Sequence, residues 1–365
     1  MMNQRVIISG GGTAGHIYPA LALGKKLTQQ NIKITFVGTT RRLEQSIMKH
    51  YGADFIPLKI EGLKGKGFLI IKSLFILPYS FIKSLLIVIQ MKPSLVIGMG
   101  GYSSGPVVLI SSLIGIPSLI MEQNLRPGLT NRILIPFVQK AVVAFRKSLP
   151  EFKGKGEFLG NPVREEFYSL KPKQRDEHLT VLVFGGSQGS HFLNKNIIKS
   201  LPLLKQLKNE LKIFHQTGEK DFGWVKENYE RSGFENHQVS AFYFDIYKYF
   251  ERSDLIVCRA GATTMAELIA AQKPAILVPF SHSTENHQLL NARELERIKG
   301  AQIILEKDFT PQIFLSKIKY FIENKNKLNQ MEENLKKLKK ENPVEKITEL
   351  CIELMKKNKR RTQID

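Results

Sequence analysis

A histidine follows directly on a run of glycines near the start of the chain. Residues 10–16 read GGGTAGH and end in His16. Imidazole exchanges protons near neutral pH, which suits the removal of a proton from a hydroxyl group. A lone histidine is more often structural, but this one follows a predicted strand, Arg5–Ser9, and ligands bind at the carboxyl ends of parallel strands. His16 is therefore our candidate general base.

The same run fits the pattern G-x-G-x-x-G through Gly10, Gly12 and Gly15. Such a turn brings backbone N–H groups and a helix N-terminus close to a phosphate. Nicotinamide-binding enzymes share it, but they need an acidic residue at the end of the second strand. The residues found there are Thr39, Thr40, Arg41 and Arg42. No carboxylate is present, although an arginine suits NADP, so a nicotinamide-dependent oxidoreductase stays as the alternative.

Three further glycine turns follow predicted strands. They read GMGGYSSGP at residues 98–106, GGSQG at 185–189 and RAGATTMAE at 259–267. Bunched backbone amides of this kind form anion-binding nests. Glu267 falls about one turn into the helix that the last turn opens, where it can accept hydroxyl hydrogen bonds or simply complement the helix dipole. The polar side chains that follow suit a sugar or cap a helix: Glu285, Asn286, His287, Gln288 and Asn291.

Predicted strands and helices alternate along the chain, which indicates parallel sheets covered on both faces. The expected strands are Arg5–Ser9, Lys33–Val37, Leu95–Ile97, Pro117–Met121 and Ala141–Ala144, then Leu179–Phe184, Lys212–His215, Leu255–Val257 and Ala275–Val278, with a first helix over Pro19–Leu27. The pattern restarts midway, so we expect two similar halves with a hinge near Gly160-Asn161-Pro162. A helical tail is predicted over Lys317–Lys357, interrupted at Asn342-Pro343.

The composition is strongly basic, with 54 Lys and Arg against 33 Asp and Glu and a net charge of +21. This favours acidic partners, although surface lysines are often only solvated. A non-enzymatic basic protein that binds nucleic acid or membrane would explain the charge but not the glycine turns. The two cysteines, Cys258 and Cys351, suggest neither a disulfide nor zinc. No D-x-D triplet or metal-ligand spacing occurs, so no metal is expected to be required.

The most apolar segment, Phe68–Met91, contains Lys72, Pro78 and Lys83. Its longest uncharged part is too short to span a bilayer, so we expect it to be buried or to seek a surface. Lys64 and Lys66 precede it. Apolar residues mixed with lysines favour docking of the N-terminal half on an anionic membrane, with lysines facing the lipid. The start of the chain has no signal-peptide pattern.

Six ordered segments resemble the MurG family of N-acetylglucosaminyltransferases of peptidoglycan synthesis. They are residues 11–16, 100–106, 122–124, 160–164, 185–189 and 261–267, and the resemblance spans roughly residues 5 to 350. It implies a GT-B glycosyltransferase of the α/β class, with two Rossmann-like domains whose parallel sheets face a cleft. The expected domains are residues 1–162 for acceptor and membrane, 163–340 for UDP-sugar, and 341–365 as a C-terminal helix able to pack back on the first domain, with a basic tail.

The resemblance also implies the reaction. N-acetylglucosamine would pass, with inversion, from UDP-N-acetylglucosamine to undecaprenyl-diphosphate-linked N-acetylmuramoyl-pentapeptide, called lipid I, giving lipid II. No cofactor is implied. The partners would be the two substrates, an anionic membrane surface and other cell-wall synthesis proteins, but not nucleic acid. The enzyme would be peripheral on the cytoplasmic face of the plasma membrane.

Site residues carry over from the family position by position. Donor contacts are implied for Thr13, Ala14, Gly15, Asn124, Arg164, Ser187, Tyr243, Ala262, Thr263, Thr264, Met265, Ala266, Glu267, Gln288 and Asn291. The acceptor diphosphate would be held by Gly12, Gly15, Gly100, Gly101, Tyr102, Ser103 and Ser104. Tyr243 would contact uracil through its backbone. Two positions depart from the family pattern: Ala14 replaces a common glycine, and Met121 stands where a histidine often precedes Glu122.

Overall fold

A computed structural model describes residues 4–60, 68–283 and 286–362, of which 68–76 and 358–362 are described only by their backbone. The chain forms two compact units. The first unit comprises residues 1–164 and 342–365, and the second unit comprises residues 165–341. The division follows Arg164, close to the glycine and proline of the expected hinge.

Each unit contains one sheet. The strands of the first are β1 Arg5–Ser9, β2 Lys33–Thr39, β3 Phe55–Leu58, β4 Leu95–Gly98, β5 Ser118–Glu122, β6 Lys140–Val143 and β7 Gly156–Phe158. Those of the second are β8 Leu179–Phe184, β9 Leu211–Gln216, β10 His237–Ser240, β11 Leu255–Cys258, β12 Ala275–Leu277 and β13 Ala301–Ile303.

Helices connect the strands in both units. Those of the first are α1 Ala14–Gln29, α2 Arg42–His50, α3 Phe68–Met91, α4 Ser104–Leu113, α5 Leu129–Leu134 and α14 Val344–Thr362. Those of the second are α6 Glu165–Tyr168, α7 His191–Leu204, α8 Phe222–Ser232, α9 Ile246–Arg252, α10 Ala262–Ala271, α11 His287–Arg297, α12 Pro311–Glu323 and α13 Lys325–Lys336.

Both sheets are parallel and share one strand order. The first runs β3-β2-β1-β4-β5-β6-β7 and the second runs β10-β9-β8-β11-β12-β13. This is the doubly wound Rossmann order, in which the chain reverses direction across the sheet between two central strands. The reversal lies between β1 and β4 in the first unit and between β8 and β11 in the second. Ligand sites are expected beside these two points, at the carboxyl ends of the strands.

All nine predicted strands are present, with ends that shift by a residue or two. Four strands were missed: β3, β7, β10 and β13. These four are the edges of the two sheets. Their residues are mostly half-buried, whereas the central strands β4, β5 and β8 are buried throughout. Polar residues interrupt β7, β10 and β13, whereas β3 is apolar but contains Pro57, so none of the four carries the signal of a strand covered on both faces.

The first helix begins earlier than predicted. The expected start at Pro19 is wrong, because α1 begins at Ala14 and contains Pro19 in its interior. Thr13 is the N-cap residue with extended backbone, so the glycine turn rather than the proline sets the helix start. Proline lacks one backbone donor, which a helix tolerates near its first turns at some cost. Ala14 is helical and has no positive φ, so the alanine adds no backbone strain there.

The C-terminal helix belongs to the first unit. α14 packs against α1, and its Ile347 and Cys351 are completely buried. An ion pair joins Lys26 of α1 to Glu345 of α14. Asn342 Oδ1 accepts a hydrogen bond from Val344 N at 3.2 Å, which starts the helix at the predicted Asn-Pro interruption.

The apolar segment Phe68–Met91 forms one helix, α3. Among the described residues, no helix is long and apolar enough to cross a membrane. Lys83 Nζ donates to Pro57 O at 2.9 Å. The ammonium group of Lys83 thus bonds to the protein itself, which differs from the expected lipid-facing lysine. Lys64 and Lys66 lie outside the described residues, and of Lys72 only the backbone is described.

Candidate active site

Two glycine loops meet where the first sheet reverses direction. The first glycine loop, residues 10–15, follows β1, and the second glycine loop, residues 98–105, follows β4. Gly10 N donates to Val37 O at 3.0 Å and Met99 N donates to Ser9 O at 2.7 Å, which ties both loops to the strands beside them. Gly101 has φ +78°, and a Cβ there would stand 2.6 Å from Gly11 O. Only glycine permits this close approach.

His16 lies between these two loops, in the first turn of α1, and is half-buried. Its Nδ1 is 3.1 Å from Gly11 O. A carbonyl oxygen can only accept, so Nδ1 carries the hydrogen in the neutral ring and Nε2 keeps its lone pair. A Cβ on Gly100 would stand 3.2 Å from Nε2, so this atom faces the second glycine loop. The ring is thus held in the tautomer that a general base needs.

A buried carboxylate, which the sequence analysis missed, fixes the first glycine loop. Glu44 of α2 is 2% exposed. Its Oε2 accepts from Gly12 N at 3.0 Å, and its Oε1 accepts from Thr39 N at 2.9 Å. Glu44 lies two positions beyond Arg42, the last of the residues considered at the end of the second strand. It stands in the first turn of α2, where an acidic residue ordinarily complements the helix dipole.

The contacts of Glu44 concern two predictions, the nicotinamide-dependent alternative and the contact of Gly12 with a diphosphate. The carboxylate near the end of β2 bonds to Gly12 and Thr39, as a fixed part of the protein, rather than facing outward as a ribose acceptor would. The N–H of Gly12 points at Glu44, and Arg41 NH1 donates to the Gly12 carbonyl at 2.6 Å. The predicted contact of Gly12 with a diphosphate stays a prediction, and in this conformation its N–H already has an acceptor.

The second glycine loop is shaped by buried hydroxyls. Ser103 and Ser104 are completely buried, whereas Tyr102 is 38% exposed. Ser104 Oγ donates to Gly101 O at 2.9 Å, and Ser9 Oγ donates to Ser103 O at 3.0 Å. The hydroxyls of Ser104 and Ser9 therefore support the loop from inside the unit, so backbone groups and Tyr102 are the parts that reach its surface.

Asn124 is oriented by the carboxylate two residues before it. Glu122 is 3% exposed, and its Oε1 accepts from the backbone N of Asn124 at 3.0 Å and from its Nδ2 at 3.1 Å. Its Oε2 accepts from Gly128 N at 2.9 Å. Gln123 Nε2 donates to Met99 O at 3.1 Å and so joins this segment to the second glycine loop. Met121 is buried inside β5 at 1% exposure, an apolar position in this chain.

Arg164, predicted to meet the nucleotide, belongs to the first unit and is 5% exposed. Its guanidinium carbon lies 3.7 Å from the centre of the Tyr18 ring, and NH1 donates to Tyr51 OH at 2.9 Å. The residue therefore packs beneath α1 and α2. Its contact with a diphosphate stays a prediction.

The second unit presents two more loops beside its own reversal point. The third glycine loop, residues 185–189, follows β8, and the fourth, residues 259–261, follows β11. Gly186 and Gly189 have φ of +93° and +75°, and a Cβ at Gly189 would collide with Thr217 O. Ser187 in this loop is half-buried. α7 and α10 begin after these loops, so both loops lead into helix N-termini of the kind that attract phosphate.

Buried polar side chains join the predicted donor residues of the second unit. Arg259 NH2 donates to Ser190 Oγ at 2.8 Å, which links the fourth loop to the third. Asn291, 2% exposed, donates from Nδ2 to Ala260 O at 3.1 Å. Gln216 donates from Nε2 to Gly186 O at 3.1 Å and accepts at Oε1 from Tyr243 N at 2.8 Å. The roles of Arg259 and Gln216 were missed, because a residue that ties loops together has no spacing signature.

Tyr243 cannot offer its ring to a ligand readily. It is 6% exposed, and its ring stacks on Tyr249 with centroids 3.8 Å apart. Tyr243 OH donates to Gln238 O at 3.0 Å, and burial raises the pKa of its phenol. The predicted backbone contact of Tyr243 with uracil stays a prediction, and its N–H already donates to Gln216.

The remaining donor candidates lie on α10 and α11. Ala262, Thr263, Met265 and Glu267 are buried, whereas Thr264 and Ala266 are half-buried. Glu267 is 6% exposed. Burial raises the pKa of the Cys258 thiol, and the negative charge of Glu267 nearby raises it further. Gln288 Oε1 accepts from Phe280 N at 3.1 Å. Asn286 and His287 start α11, and Glu285 lies outside the described residues.

Comparisons with known proteins agree with this architecture. Residues 6–143 match the glycosyltransferase family 28 N-terminal domain, and residues 180–349 match the glycosyltransferase family 28 C-terminal domain. A crystal structure of MurG from Acinetobacter baumannii is 30% identical, with a TM-score of 0.73 over 96% of this chain and 99% of that one. The kitacinnamycin glycotransferase, at 13% identity and a TM-score of 0.68 over 97% of this chain and 100% of that one, shares the fold.

Two curated relatives carry the same name, UDP-N-acetylglucosamine–N-acetylmuramyl-(pentapeptide) pyrophosphoryl-undecaprenol N-acetylglucosamine transferase. The protein of Myxococcus xanthus is 38% identical over 96% of this chain and 93% of its own length. That of Syntrophus aciditrophicus is 40% identical over 91% of this chain and 93% of its own length. The fold is thus that of the GT-B glycosyltransferases, and the chain belongs to glycosyltransferase family 28 and, within it, to the N-acetylglucosaminyltransferases that bear this name.

Proposed function

We propose that this enzyme transfers N-acetylglucosamine from UDP-N-acetylglucosamine to lipid I, with inversion at the anomeric carbon, and so forms lipid II. The relatives named for this reaction cover nearly the whole chain, which supports the choice of substrates. The observation that carries the chemistry is His16, whose Nδ1 bonds to Gly11 O while Nε2 faces the second glycine loop.

In the proposed mechanism, Nε2 of His16 takes the proton of an acceptor sugar hydroxyl as its oxygen attacks the anomeric carbon. The bond from that carbon to the UDP oxygen breaks on the opposite face, which inverts the configuration. The leaving diphosphate rests on the third and fourth loops, where the N-termini of α7 and α10 stabilise negative charge. The acceptor's own diphosphate would take backbone donors of the second glycine loop.

The first unit carries the features of a membrane-facing surface. Ile82, Leu86 and Ile89 of α3 are 61%, 60% and 54% exposed and recur at helical spacing, so they form one stripe. Leu113 of α4, a helix that packs on α3, is 66% exposed, and Leu129 of α5, a helix that packs on α4, is 59% exposed. We call these five residues the apolar stripe. They support peripheral docking on the cytoplasmic face of the plasma membrane, where lipid I would be reached. Other cell-wall synthesis proteins are further proposed partners.

The proposal is tested by incubating the enzyme with UDP-N-acetylglucosamine and a lipid I analogue and identifying the products by mass. We expect an acceptor heavier by one N-acetylglucosamine and one UDP per transfer. NAD and NADP in place of the sugar donor serve as the control for the oxidoreductase alternative. An enzyme that binds a nicotinamide and transfers no sugar would reject the proposal.

A further inference from the structure

We propose that Glu44 is a positioning residue, whose carboxylate orients His16 through the peptide bond between Gly11 and Gly12. This inference rests on the proposed role of His16 as the general base and adds a partner to it. Glu44 is buried and bonds to Gly12 and Thr39, so its proposed effect is exerted through the loop.

The two hydrogen bonds involved lie at opposite ends of one peptide unit. Gly12 N donates to Glu44 Oε2 at 3.0 Å, and the carbonyl of the same peptide, Gly11 O, lies 3.1 Å from His16 Nδ1. The peptide unit is planar and conjugated, so both bonds act on one rigid dipole. Hydrogen bonds in series polarise one another. A carboxylate on the N–H side therefore makes the carbonyl a better acceptor for the imidazole N–H.

The carboxylate has little freedom to move. Thr39 donates to it twice, from N to Oε1 at 2.9 Å and from Oγ1 to Oε2 at 2.5 Å. A Cβ on either Gly11 or Gly38 would collide with it, so both glycines are needed to admit the side chain. At 2% exposure Glu44 is also shielded from water, which keeps its field on the loop strong. The carboxylate thus fixes the plane of the peptide whose carbonyl accepts the hydrogen bond from His16 Nδ1.

The consequence for catalysis appears when Nε2 takes a proton. Positive charge then spreads over the imidazole ring, and the bond from Nδ1 to Gly11 O strengthens. The negative charge of Glu44 lies beyond that peptide and stabilises the charged ring. Arg41, which donates to the next carbonyl at Gly12, is exposed and opposes this effect only weakly because water screens it. The arrangement works as an acid–histidine pair with a peptide bond between the two partners.

The first test measures the tautomer of His16 by NMR and does not require transferase activity. In protein labelled with ¹⁵N in its histidines, the His16 signals are assigned by their loss in His16→Ala, and the nitrogen shifts report the tautomer. We expect the neutral ring of the wild type to carry its hydrogen on Nδ1, and Glu44→Gln to mix the two tautomers. A wild-type ring protonated on Nε2 would overturn the proposal, whether or not the enzyme transfers N-acetylglucosamine.

The second test is a double-mutant cycle. Glu44→Gln replaces one carboxylate oxygen with an NH2 group. This donor faces the N–H and hydroxyl donors of Gly12 and Thr39, so the first glycine loop is no longer held by the carboxylate. We expect kcat to fall by about 10-fold or more, with the affinity for UDP within about twofold, because orientation of the base is lost while the predicted contacts with the nucleotide lie outside the first glycine loop. In the His16→Ala background the same change should have no effect on kcat.

Asp54→Asn is the matched control, because Asp54 accepts from Thr35 Oγ1 at 2.7 Å beside the same strands and has no bond to the loop. It should leave kcat unchanged. Equal losses from Glu44→Gln with and without His16 would make Glu44 a purely structural residue and contradict the proposal. If Glu44→Gln does not fold, Glu44→Asp keeps the charge at a shorter reach. Glu44→Asp should then lower kcat by less than the loss expected for Glu44→Gln, and this loss should disappear in the His16→Ala background.

Discussion

At the scale of single residues, His16 is the side chain on which the chemistry depends. Its Nδ1–H bond to Gly11 O leaves Nε2 as the base, and the glycines at 100 and 101 leave room beside the ring. His16→Ala should therefore lower kcat by about 100-fold or more, the usual share of general-base catalysis. UDP affinity, measured by calorimetric titration, should be unchanged, because the predicted nucleotide contacts lie on other residues. Near-normal turnover in this variant would remove His16 from the chemistry.

Glu267 is the second residue with a defined expectation. It lies in the second turn of α10, whose N-terminus is predicted to meet the diphosphate, and its carboxylate can accept two ribose hydroxyls. Charge-assisted hydrogen bonds contribute about 1.5–3 kcal/mol. Glu267→Ala should thus weaken UDP binding on the order of 10–100-fold. The acceptor KM should stay nearly fixed.

The same titration with 2′-deoxy-UDP separates ribose recognition from a general loss of fold. The wild type should prefer UDP, and the variant should distinguish the two ligands less. Glu267→Ala protein that folds and binds UDP as the wild type does would leave Glu267 as a helix-dipole carboxylate only.

The residue types predicted the glycine loops but not the side chains that hold these loops in place. His16 and the glycine turns stood out because their spacing is tied to a known turn geometry. Glu44, Gln216 and Arg259 did not, since each acts on residues far away in the sequence: Glu44 on Gly12, Gln216 on Gly186 and Arg259 on Ser190. A single sequence carries no record of such pairs. The supporting residues of the site could therefore be found only from the structure.

At the scale of elements, the predictions followed how deeply each strand is buried. The predicted strands contain buried apolar runs such as Val6–Ile8 and Val181–Phe184. The four missed strands are sheet edges: β7 and β10 contain half-buried polar residues such as Glu157 and His237, and β3 is apolar but contains Pro57, which disfavours a strand. The early start of α1 was missed for a related reason, since the glycine turn that begins it has no helix-forming composition.

The apolar stripe on α3, α4 and α5 gives an element-scale prediction. Changing Ile82 and Leu86 together to serine should weaken co-sedimentation with vesicles of anionic lipid by about 100-fold or more, because each exposed side chain contributes burial of roughly 1.5–3 kcal/mol when it inserts fully and the two contributions add. Transfer to a short-chain, water-soluble acceptor should be unaffected.

The control is Ile313→Ser, which removes another exposed isoleucine, 37% exposed, from α12 of the second unit. It should leave vesicle binding unchanged. High salt should weaken binding of the wild type to anionic vesicles, given the net charge of +21. Equal binding to neutral and anionic vesicles would remove the electrostatic part of the proposal, and full binding by the double variant would remove the apolar stripe.

At the scale of the whole molecule, the chain uses one strand order twice. Both sheets reverse direction next to glycine loops, so each unit has a point of the kind at which doubly wound sheets bind phosphate-containing ligands. A reaction that joins a nucleotide-sugar to a diphosphate-linked acceptor needs two such places. The duplication was predictable from the restart of the strand and glycine pattern near residue 179. The placement of α14 on α1 was expected only from the family resemblance, because no local signal assigns a distant helix to either unit.

The central claim is that this enzyme moves N-acetylglucosamine to a diphosphate-linked acceptor with inversion. The most direct measurement is the anomeric configuration of the product, determined by NMR of the disaccharide made from UDP-N-acetylglucosamine, whose sugar is α-linked, and a lipid I analogue. The account predicts a single new β-linkage, formed in step with UDP release. An α-linked product, or release of UDP and free N-acetylglucosamine without a new glycosidic bond, would contradict it.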